Sequence, residues 1–83
     1  MTAAGAAFTE RRGEEGAVAV SDGFTAYLVT QRMVPVGRGL EGVMLERWSV
    51  DEWVDARFVQ SYGHYIDRES ALKRAWELAE RGG

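Results

Sequence analysis

Cysteine and asparagine are absent from the chain, and proline and histidine occur once each, as Pro35 and His64. Without cysteine there is no disulfide scaffold, and the expected compartment is the cytoplasm, here of a bacterial cell. A single histidine leaves zinc without the ligand cluster it needs, so no metal and no cofactor are expected. Long apolar runs are missing as well: nothing approaches the ~18 residues of a membrane-spanning helix. The segment Met1 to Phe8 is small and apolar, but it lacks a basic start and runs straight into Glu10, Arg11 and Arg12, which does not fit a signal peptide. Lysine occurs once, at Lys73, and all other basic side chains are arginine, a bias that suggests a GC-rich bacterial or phage gene.

What remains is a globular composition: 46% hydrophobic, 28% charged, with three Trp, three Tyr and three Phe in 83 residues. That length makes one domain. A chain so short buries only about 60–65% of its unfolded surface, so its stability rests on a modest core or on a partner.

Residues 1–16 read as a flexible arm, interrupted by Gly5, Gly13 and Gly16, and residues 17–83 as the domain. Ala17 to Val20 reads as a short strand. Asp22-Gly23 follows, a dipeptide that supplies the positive φ a tight hairpin needs. Phe24 to Met33 alternates as a strand, with Phe24, Ala26 and Leu28 on one face and Tyr27 and Val29 on the other. Val34 to Glu41 reads as a break at Pro35, Gly37 and Gly39. Val43 to Val50 is the next strand, Ser49 to Asp55 an acidic turn enclosing Trp53, and Ala56 to Tyr65 the last strand. The end is a helix over 68–81. Asp67 is its N-cap, Ile66 and Ala71 have the spacing of a hydrophobic staple, and Leu72, Ala75, Trp76 and Ala79 form the apolar stripe. The expected fold is α+β: a three- or four-stranded antiparallel meander covered by one C-terminal helix.

Catalytic motifs do not assemble. Gly37 to Gly42 matches GxGxxG, but a dinucleotide site needs those glycines to open a helix, and the residues that follow look like a strand. Ser61, His64 and Asp67 invite a triad, yet an odd spacing on a strand sends Ser61 and His64 to opposite faces, and Asp67 is better used as a cap. Asp51, Glu52 and Asp55 lack the ligand ladder of a calcium loop. No enzyme is expected.

Charge is distributed unevenly. Residues 41–55 carry a net −4 of the chain's −3, the remainder being close to neutral. The candidate partner-binding residues lie there: Glu46, Trp48, Asp51, Glu52, Trp53 and Asp55. Acids beside tryptophans are what a patch for a basic protein surface contains. The plainer reading puts Trp48 in the core and the acids at a solvated hairpin tip, which leaves Trp53 as the better exposed anchor. An acidic chain opposes phosphate binding. Arg57, Arg68, Lys73, Arg74 and Arg81 are the only local basic surface in view, and Glu69, Glu77 and Glu80 lie among them.

The run Tyr65 to Leu72, continuing to Ala79, looks like the ending of many small meander-plus-helix domains. In size, acidity and lack of motifs the chain resembles small phage and mobile-element inhibitors of the anti-CRISPR kind. That resemblance implies a non-enzymatic inhibitor that blocks a basic, nucleic-acid-binding surface of a large complex. The alternatives are a small nucleic-acid-associated regulator using the arginine-rich helix face, or a homo-oligomeric structural domain joined through a sheet edge.

Overall fold

The computed structural model describes residues 8–35 and 43–82. Five antiparallel strands run in chain order: β1 (Thr9–Arg12), β2 (Val18–Ser21), β3 (Thr25–Pro35), β4 (Met44–Val54) and β5 (Arg57–Tyr65). One helix, α1 (Arg68–Gly82), follows. The fold is α+β, as the alternation implies, with one strand more than expected. The extra strand is β1, which falls in the supposed arm. A 3₁₀ turn at Glu14–Gly16 joins it to β2, and the rest of that arm, residues 1–7, lies outside the described residues.

Local chemistry explains the turns. Asp22 Oδ1 accepts from the amides of Phe24 and Thr25, both at 2.8 Å, while Gly23 takes φ +96°. The β4–β5 connection is only Asp55-Ala56, with φ of +52° and +63°, the two left-handed positions of a type I′ turn. The acidic turn expected over 49–55 is therefore corrected. All its residues but Asp55 are strand, because Ser49, Val50, Asp51, Glu52, Trp53 and Val54 all find partners on β3. β3 likewise continues through Val34 to Pro35, the end of the sheet being an edge where a missing amide is tolerated. The Gly37 to Gly42 motif lies outside the described residues, and the next described element is the strand β4.

One face of the sheet is covered. Val18, Val20, Tyr27, Val29 and Val50 pack against Ala71, Ala75, Leu78 and Ala79 of α1. The centre of the helix contact is small, so the helix lies close to the sheet. Leu72 and Trp76, expected in that stripe, flank it and are half-buried. Asp67 caps α1 by accepting from the Ser70 amide at 2.8 Å. The expected staple is not made: Ile66 is 71% exposed while Ala71 is fully buried. Two side-chain hydrogen bonds also tie the N-terminal segment to the helix. Trp76 Nε1 donates to Glu10 Oε2 at 2.6 Å, and Arg68 donates to the Gly16 carbonyl at 3.3 Å while lying over the Trp48 ring.

The far halves of β3 and β4 leave this body. β2 pairs only with residues 26–29 and β5 only with residues 48–54, so Arg32 to Pro35 and Met44 to Arg47 pair with each other alone. This two-stranded ribbon stretches the molecule to 54 × 21 × 20 Å.

Candidate functional site

Alternation along β4 decides where the six expected partner-binding residues go. Val50 faces the helix, so Glu46, Trp48 and Glu52 share its side, while Asp51 and Trp53 share the uncovered side. Asp55 sits in the turn. They do not form one patch, and most are occupied internally. Glu52 Oε1 accepts from Tyr62 Oη at 2.9 Å and from Gln60 Nε2 at 3.2 Å. Burial, then the bond to Glu52, holds the Tyr62 phenol above its ordinary range, and Tyr27 beside it is raised by burial and by the Glu52 charge. Trp48 packs against the core. Asp51 is buried and accepts from Arg32 Nη2 at 3.3 Å. Trp53 is half-buried, edge-on to Phe58 at 5.7 Å between centroids, with its Nε1 enclosed and unpartnered. Of the six, only Glu46 and Asp55 are exposed with carboxylates unpartnered among the described residues. Nine residues of strand, about 30 Å, separate them.

Comparison with family models, curated proteins and solved structures finds no match to this chain.

Two surfaces take the place of that patch. The first is the ribbon. Met33 is 54% exposed, Met44 44%, Val43 43% and Leu45 39%. On the helix side of the ribbon Met33 stands opposite Glu46, and Pro35 opposite Met44. The alternation of β4 was legible in the sequence. Its exposure was not, because nothing local says that β2 and β5 stop short of the ribbon.

The second surface is the uncovered face of the sheet. The register builds it in rows: Arg11, Ala19, Leu28, Asp51 and Ser61; then Thr30, Ser49 and His64; then Arg32 and Arg47. The expected separation of Ser61 from His64 is corrected here. β5 bulges at Tyr62-Gly63, where Gly63 takes φ +99°, so Ser61 opposes Asp51 and His64 opposes Ser49 on the same side. No hydrogen bond among the described residues joins Ser61, His64 and Asp51, and Asp51 is engaged by Arg32. A nucleophile–base pair is not assembled. Thr30 and Ser49 hydroxyls meet at 3.2 Å. Arg32 and Arg47 stand directly opposite one another, and Asp51 on Arg32 offsets part of their repulsion.

Proposed function

We propose that this protein is a non-enzymatic protein-binding module that engages its partner through the end of the β3–β4 ribbon. The observation that carries this is the exposed apolar side chains of a ribbon that only its own strands support: Met33 and Met44 on one face, Leu45 on the other, and Val43 just before β4. Exposed apolar clusters on small monomers mark contact surfaces, and methionine adapts well to an irregular partner pocket. Glu46 lies among them and is the one acid of the sequence-derived set that could steer a basic partner there. An inhibitor that occupies the nucleic-acid-binding surface of a larger complex, which the anti-CRISPR-like character implies, is the specific form of this reading.

The test is affinity capture from a bacterial lysate with quantitative mass spectrometry, comparing the tagged protein with a Met33→Ser/Met44→Ser variant. The wild type should enrich a discrete partner, and the variant should lose it by about tenfold or more while keeping its circular dichroism and melting temperature. Equal recovery by both proteins removes the ribbon from the reading. Recovery of the bait alone removes the reading itself.

A further inference from the structure

We infer that the uncovered face of the sheet is a platform for single-stranded nucleic acid, with Arg32 and Arg47 for phosphates at one end, Arg11 for a phosphate at the β1 edge and aromatics for the bases at the other end. The covered face is spent on α1, but β1 to β5 present a second face with no layer over it among the described residues. Its strand positions carry Arg11, Arg32 and Arg47, against one acid, Asp51, whose charge Arg32 already meets. The face is thus locally basic on an acidic protein. The other strand acids, Glu10, Glu46 and Glu52, take the opposite parity. Asp51 offsets Arg32, which leaves Arg47 opposite it in no ion pair among the described residues.

The Thr30 hydroxyl lies in the next row, bonded to that of the buried Ser49, and Arg11 lines a groove of about 200 Å³ with Ala19, Leu28 and Thr30. At the far end Trp53 and Phe58 oppose one another, and Phe58 is 55% exposed. Arg47 and Trp53 are six residues apart on β4, so the platform runs about 20 Å, the length of a few nucleotides. Asp22 and Asp55 sit in turns at the aromatic end, where bases and not phosphates would rest. Extended single strands bind in this way: cationic groups track the backbone, and each aromatic face takes a base with little sequence preference. A double helix offers no unstacked base to Phe58, and an acidic peptide offers nothing to stack. The residues involved differ from the two ribbon methionines, so this inference and the protein-binding reading can fail separately.

Fluorescence anisotropy with labelled oligothymidylate and oligouridylate of about 15 nucleotides tests it on the full chain, with a duplex of the same length and polyglutamate as competitors. Binding should weaken about twentyfold for a fourfold rise in salt if three arginines each meet a phosphate, and Arg47→Ala should lower that logarithmic salt slope by about 0.7. Phe58→Ala should weaken binding at least fivefold with the slope unchanged, since stacking carries no counterion. Absence of a shift at low salt overturns the proposal. So does equal competition by duplex or polyglutamate, or an affinity indifferent to both substitutions in variants that retain the wild-type melting temperature.

Discussion

Ala56 shows how a single backbone angle departs from residue preference. At φ +63° its methyl group crowds the neighbouring carbonyl, a conformation that costs an alanine about 1 kcal/mol or more and a glycine almost nothing. An aspartate followed by glycine is a favoured type I′ pair, and here alanine stands in the second place. Ala56→Gly should therefore stabilise the protein by about 1 kcal/mol, read as a higher urea midpoint with an unchanged slope. A lower midpoint would mean that the hairpin does not turn in this way. Gly63 is the opposite case, since its φ of +99° suits the residue and moves His64 to the side of Ser61. The spacing of Ser61 and His64 alone pointed to opposite faces, because alternation holds only while the ladder is regular.

At the scale of elements, α1 was the most legible part of the chain. Its cap at Asp67 and its approximate limits followed from local signals. Which of its residues touch the sheet did not. A stripe at Leu72, Ala75, Trp76 and Ala79 and a stripe at Ala71, Ala75, Leu78 and Ala79 differ by a small rotation, and only the shape of the opposing sheet selects one. β1 was missed because four exposed polar residues, Thr-Glu-Arg-Arg, carry no alternation of their own. Its place depends on β2 and on the bond from Trp76 to Glu10 across the helix interface. Trp76→Phe keeps an aromatic ring and removes that donor. Hydrogen exchange should then speed up at the β1–β2 amides while β3 and β4 remain protected, and uniform loss of protection would contradict a local role.

For the molecule as a whole, the ribbon raises the radius of gyration to 14.2 Å, against about 12 Å for a compact domain of this length. The body that remains is small, and carboxylates help to hold it. Asp22 is held below the ordinary aspartate range by the Thr25 and Phe24 amides, and Asp67 by the Ser70 amide and hydroxyl. Both favour the ionised form in the folded state, so their contribution is present above the unfolded value near 3.8 and lost as pH falls through the lower folded values. Melting temperature should decline as pH drops below about 4, and Asp22→Asn with Asp67→Asn should flatten that decline. An unchanged acid limb in the double variant would place the acid sensitivity elsewhere.

The sequence by itself determined the periodic elements: the hairpin at Asp22-Gly23, the alternation of β3 and β4, the capped helix, and the class to which they add up. Each is set by contacts within a few residues. The tertiary structure alone decided which surfaces are free. Glu52 and Asp51 look alike in sequence, but one lies half-buried on the helix side of the sheet against Tyr62 and the other on the opposite face against Arg32. The acidic tryptophan-bearing stretch was thus divided between two faces. Strand pairing and bulges fix that division, and both depend on residues far away along the chain.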